Sequence, residues 1–195
     1  MKSRDNATKL LGYFFALILL CPICSAASKG SSIVGTHSVG IKVGQVWPTG
    51  DIGKGVDPAV KPGIFYEYGA SDVFSIQAGV LPTSFSDGAL SVLVTHASMK
   101  AHLFYFDKLA PYVMVGAGVY SVSQKISVTQ ETAEKTVFGI HLGFGADLDL
   151  NEAICMGLGL DIHNLFTGTV NLPRNGRTEI SGRLAAFLVH GGYRF

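Results

Sequence analysis

From residue 37 onward the chain alternates. Near 37–47, Val39, Ile41, Val43 and Trp47 interleave with Ser38, Gly40, Lys42 and Gly44. The same pattern returns near 62–70, with Ile64, Tyr66 and Tyr68 against Phe65, Glu67 and Gly69, and near 72–81, with Phe74, Ile76, Ala78 and Val80 against Ser75, Gln77 and Gly79. It recurs near 92–105, 111–122, 136–147, 153–163 and 179–195. A period of two marks a strand with one apolar face. Glycines recur on the polar rows, among them Gly40, Gly79, Gly116, Gly118, Gly139, Gly143 and Gly157, and this density opposes helices.

Eight strands are predicted, most of them roughly 9–14 residues long, against about 5–6 in a typical soluble strand. A tilted strand needs about 9–11 residues to cross a bilayer. The predicted connections near 70–72, 106–110 and 148–152 are tight, whereas those near 48–61, 82–91, 123–135 and 164–178 are longer and polar. Short turns at one end and long loops at the other are the pattern of a transmembrane barrel, with the short turns on the periplasmic side. In lipid every backbone N–H and C=O must pair internally, so such a sheet has to close on itself. The expectation is an all-β, eight-stranded antiparallel transmembrane β-barrel over 28–195, with short periplasmic turns and longer extracellular loops.

The first residues add a destination. Lys2, Arg4 and Lys9 precede the uncharged run Leu10–Leu20, and small residues follow in CPICSAAS. This is the three-part layout of a secretory signal peptide over 1–27, with cleavage expected after Ala26 or Ala27. Cleavage would remove Cys21 and Cys24, leaving Cys155 without an intramolecular disulfide partner. The charge barely matters. The chain has 15 Lys and Arg against 14 Asp and Glu, and nothing in their distribution points to nucleic acid.

The polar rows carry the candidate chemistry. They supply Lys42, Glu67, Gln77, His96, Lys100, His102, His141, Asp147, Asp161, His163, His190 and Arg194. An eight-stranded barrel is just wide enough for side chains to fill it, and charges inside must pair. An ion-paired polar interior is expected, and exchange of partners among these charges is how a narrow conduit would arise instead. The apolar rows place Trp47, Tyr66, Tyr68, Phe74 and Tyr105 near strand ends, as in a girdle of interfacial aromatics. Val189, Tyr193 and Phe195 continue the lipid-facing row to the last residue, where they can anchor the closing strand.

The signal segment, the eight alternating strands, the stretch APYVMVGAGVY (110–120) and the terminal GGYRF resemble small eight-stranded outer-membrane β-barrels of the OmpW, OmpX and OmpA-barrel kind. The resemblance covers the mature chain. It implies the outer membrane of a Gram-negative bacterium, contact with outer-membrane lipids, and recognition of the C-terminal Val189, Tyr193 and Phe195 row by the barrel-assembly machinery. Enzymes are known on such barrels, but the residues here lead us to expect no enzymatic activity and no cofactor.

Three chemical alternatives are weaker in the residues. His141 and His163 can approach across neighbouring strands, but no local metal-motif spacing appears, so no metal site is expected. A lipid-modifying enzyme needs a nucleophile beside a base. His163, read as lying near an extracellular rim, lacks an adjacent serine, and turn chemistry accounts for Ser86–Gly88. The polar stretches 48–62, 128–136 and 171–179 can carry an extracellular ligand site, since loops on rigid scaffolds do recognition, but no motif selects the ligand. The function expected is a structural, surface-exposed barrel, with a narrow porin-like channel as the alternative and a lipid-modifying enzyme behind it.

Overall fold

A computed structural model describes residues 33–125, 132–172 and 176–195. The signal segment 1–27 and parts of the stretches 128–136 and 171–179 lie outside the described residues. Strands β1 (His37–Thr49), β2 (Ala59–Gly69), β3 (Phe74–Phe85), β4 (Leu90–His102), β5 (Leu109–Lys125), β6 (Thr132–Asp149), β7 (Ile154–Leu172) and β8 (Gly176–Arg194) follow in chain order. Each pairs antiparallel with the next, and β1 closes onto β8. The result is a closed barrel without an edge strand, which satisfies the backbone as an apolar surrounding requires.

The closing seam runs from Ser38 opposite Arg194 to Thr49 opposite Arg183. It begins at the end where the start of β1 meets the last residue. His37 N donates to Phe195 O at 3.0 Å, and Phe195 N donates back to His37 O at 2.8 Å. This end is called the terminal rim below, and the opposite end the distal rim.

The outward rows are apolar. Ile41, Ile64, Ile76, Met99, Val115, Leu142 and Leu158 all face out and are exposed, Ile64 by 63 %, whereas Lys42 on the inward row of β1 is only 7 % exposed. A soluble exported barrel would carry the reverse arrangement. The apolar belt faces lipid. Tyr66, Tyr68, Phe74, Tyr193 and Phe195 cluster at the terminal end of this surface, joined by Phe104 and Phe106 from the β4–β5 turn.

Trp47 faces outward near the distal end and is half-buried. Tyr105 departs from expectation. Strand β4 ends at His102, so Tyr105 sits in the turn that follows. Its hydroxyl donates to Asp72 O at 3.0 Å, and its ring lies 5.5 Å from that of His102. It folds over the barrel mouth instead of standing in the girdle.

The distal connections also differ from the pattern. Strands β5 to β8 are 17 to 19 residues long and continue through much of what reads as loop. Beyond the apolar belt, outward residues such as Ser121, Ser123, Glu134 and Thr136 are polar, so the alternation fades while backbone pairing goes on. A bulge between Leu165 and Gly168 shifts the β7–β8 register near that rim. The β1–β2 connection contains a short 3₁₀ turn, Asp51–Gly53, entered through Gly50 at φ 77°, a conformation that favours glycine.

Candidate functional site

The interior divides into two halves of opposite chemistry. From the terminal rim to mid-barrel the inward rows are polar. From mid-barrel to the distal rim they are mostly apolar, with Thr83 buried among them and Lys61 Nζ 5.4 Å from the centre of the Phe85 ring.

The polar half starts at the rim, where Arg194 Nη2 lies 3.1 Å from Asp149 Oδ1. Asp149 was not singled out from the sequence, although it shares a row with Asp147. Deeper in, Glu67 accepts from Ser75 Oγ at 2.8 Å, from Gln77 Nε2 at 2.8 Å and from Lys100 Nζ at 3.1 Å. Lys100 Nζ also reaches Asp147 Oδ2 at 2.6 Å and lies 4.4 Å above the centre of the Tyr112 ring. His102 Nε2 and His190 Nε2 meet the two oxygens of Asp147 at 3.1 and 2.8 Å. Gln77 links this group to the next, accepting from Lys42 Nζ at 2.6 Å. Lys42 sits 5.5 Å from the centre of the Phe65 ring.

At mid-barrel the network reaches Asp161, whose Oδ2 stands 3.6 Å from both Lys42 Nζ and His141 Nε2. Three imidazoles gather beside it. His141 and His163, directly opposed on β6 and β7, stack with centres 4.4 Å apart. The His96 ring lies 4.6 Å from His141 and 5.5 Å from His163. Ser98 Oγ bonds His141 Nδ1 at 2.7 Å, and Tyr120 OH bonds His163 Nδ1 at 3.0 Å. Ligating atoms of His141, Asp161 and His163 all fall within 4.8 Å of one another. Glycines clear this space. A Cβ at Gly79 would come within 2.5 Å of His96 Cε1, and one at Gly143 within 2.7 Å of Asp161 Oδ1.

All twelve polar residues singled out from the sequence therefore face inward. Eleven share one connected region, and Arg194 guards the rim. His163 is fully buried at mid-barrel, not near a rim as read from the sequence. The serines of the β3–β4 connection lie elsewhere, Ser91 Oγ against Ser84 Oγ at 3.4 Å and Ser86 Oγ accepting from Asp57 N. Cys155 is a free thiol on the interior side, 3.7 Å from Gly192 O.

The apolar half is the part the sequence reading missed. Val46, Ile52, Leu81, Phe85, Leu90, Val92, Val94, Tyr120, Val122, Ala133, Val137, Leu165, Ile180, Leu184, Ala186 and Leu188 pack as one cluster inside the barrel. Ile52 comes from the 3₁₀ turn, which folds over the distal mouth. Asp51 of that turn accepts from Lys54 Nζ at 2.8 Å and Ser181 Oγ at 2.7 Å. The bond from Lys54, with help from Ser181, holds the Asp51 carboxyl below its ordinary pKa, and Asp51 raises that of Lys54.

The chain thus forms a closed eight-stranded barrel with a lipid-facing apolar belt and a side-chain-filled interior. The sequence pattern described as the outer membrane protein beta-barrel domain matches residues 14–195. This chain belongs to that family. It is an outer-membrane protein, and its fold is shared with small eight-stranded barrels of known structure. The N-terminal β-barrel domain of Pseudomonas aeruginosa OprF is 18 % identical, with 81 % of this chain and 97 % of that one covered and a TM-score of 0.55. Neisserial surface protein A is 12 % identical, with 83 % and 99 % covered and a TM-score of 0.61. OprG of Pseudomonas aeruginosa is 13 % identical, with 83 % and 96 % covered and a TM-score of 0.58. No curated protein matches the sequence significantly.

Proposed function

We propose that this protein is a structural, surface-exposed outer-membrane barrel that does not conduct. The apolar cluster in the distal half carries this reading. Leu90, Val94 and Leu184 are each 0 % exposed within it, and a conduit for ions or polar solutes would need a hydrated path through the same cross-section. The polar half supports the same role. Lys100 pairs with both Glu67 and Asp147, which makes this half a rigid filling more than a hydrated lining.

A narrow channel is the second reading. It draws support from the polar cleft at the terminal rim, which Glu67, Lys100, Asp147 and Arg194 line. That path would still have to part the distal cluster. An enzymatic role is not proposed. As partners we propose outer-membrane lipids along the apolar belt, the barrel-assembly machinery reading Val189, Tyr193 and Phe195, and an extracellular ligand of unknown class at the distal connections.

Liposome swelling tests the proposal. Vesicles carrying the folded protein should swell in small sugars and amino acids no faster than protein-free vesicles. Solute-selective swelling would favour the channel.

A further inference from the structure

We propose that His96, His141, His163 and Asp161 form a binding site for one divalent transition-metal ion of the zinc class. Three imidazoles and a carboxylate make up the donor set such ions take, and four donors suit a tetrahedral site. The geometry carries the inference through three features.

The first is unused donor capacity. His96 is 6 % exposed, and neither of its ring nitrogens has a hydrogen-bond partner among the described residues. His141 is 0 % exposed, and its Nε2 is likewise unpartnered. Buried polar atoms are ordinarily satisfied. Here two neighbouring rings, centred 4.6 Å apart, leave three nitrogens without a bond. Asp161 is underused as well, because Lys42 Nζ and His141 Nε2 both stand at 3.6 Å, beyond hydrogen-bond length.

The second is orientation. Metal-ligating histidines commonly fix their other nitrogen through an outer partner. Ser98 holds Nδ1 of His141 and Tyr120 holds Nδ1 of His163. When each Nδ1 carries the proton, both Nε2 lone pairs are left for an ion.

The third is placement. The cluster sits where the polar half meets the apolar plug, so the connected polar residues from the terminal rim offer an approach and the plug closes the far side. Lys42 and Lys100 face Glu67, Asp147 and Asp161, one carboxylate more than ammoniums, which favours a further cation. Zinc–nitrogen bonds of about 2.0–2.1 Å place tetrahedral donors roughly 3.3 Å apart. The donors of His141, Asp161 and His163 lie within 4.8 Å of one another and the His96 ring is centred 4.6 Å from that of His141, so binding draws the four side chains inward by rotation and leaves Lys42 with Gln77.

The test starts with the full chain exported to an outer membrane and extracted in mild detergent without chelator. The same chain is also refolded with Zn(II) or Co(II) and desalted. Heat-modifiable gel migration confirms folding. The expected result is about one ion per folded barrel, with the intense visible absorption of tetrahedral Co(II). Retained metal should fall at least about tenfold in His163→Phe and His96→Phe. His37→Ala, at the terminal rim, should keep it. Folded wild-type protein that retains less than a tenth of an equivalent after refolding with excess metal overturns the proposal, and this arm needs no variant to fold. Equal retention in wild type and folded His163→Phe overturns it too, since the ion would then sit elsewhere.

Discussion

Lys100 and Asp147 face each other across an intervening strand. They project from β4 and β6, and the ammonium lies 2.6 Å from the carboxylate over the ring of Tyr112 on β5. The same ammonium serves Glu67 from β2, so one cation ties three walls of the barrel together. Replacing it with Lys100→Met leaves two buried carboxylates without their shared counter-charge. The expected loss is about 3–5 kcal/mol in urea unfolding from phospholipid vesicles. Lys100→Met combined with Glu67→Gln and Asp147→Asn should recover much of it. A single variant no weaker than the triple would show that the cation is not the organising group.

The apolar plug makes a separate prediction. Leu90 is 0 % exposed and packed in the distal cluster. Leu90→Ala should cost about 2–5 kcal/mol, because lost contact and residual cavity add. Leu90→Met keeps the volume and should cost under about 1.5 kcal/mol. Indistinguishable unfolding midpoints for the two variants would mean that the distal half is not tightly packed.

Gly79 and His96 are cross-strand partners, and the imidazole occupies the space the glycine leaves. Gly79→Val should force His96 off its rotamer and cost about 1–3 kcal/mol. The change should appear in the nuclear magnetic resonance shifts of the His96 ring. Unmoved shifts would contradict the packing described.

These cases show what the sequence made legible. All eight strands could be read, because lipid outside and polar side chains inside impose a strict period of two over the terminal half. The inward polar residues were readable for the same reason, with Asp149 overlooked. The distal plug was not. Where Val92, Leu93 and Val94 follow one another, or Leu184 to Val189 runs unbroken, both faces are apolar, one toward lipid and one toward the plug, and alternation vanishes. Consecutive apolar residues inside an otherwise alternating strand were the available signal. Tyr105 was misplaced because its parity matched β4, and only the turn after His102 removes it from the row. The gathering of His96, His141 and His163 was beyond local spacing, since three strands bring them together.

Acid should loosen the distal turn. Asp51 has a pKa held below its ordinary value by Lys54 and Ser181. A depressed carboxyl stabilises above its ordinary value and loses that contribution as pH falls through the folded one. Proteolysis with an acid-tolerant enzyme should therefore cut near Asp51–Gly53 faster once the pH drops below the ordinary carboxylate range. Asp51→Asn should be cut fast at neutral pH as well. A cleavage rate that is independent of pH in the wild type and unaffected in Asp51→Asn would remove the tether from the account.

The central claim is that the interior is closed, and single-channel recording in a planar bilayer tests it most directly. Folded wild-type protein should stay silent in concentrated salt at both polarities, and a variant emptied at Phe85, Leu90 and Leu184 by alanine should open discrete steps. Reproducible wild-type openings that change when Lys100 or Glu67 is neutralised would contradict the closed barrel and establish a conducting path through the polar half.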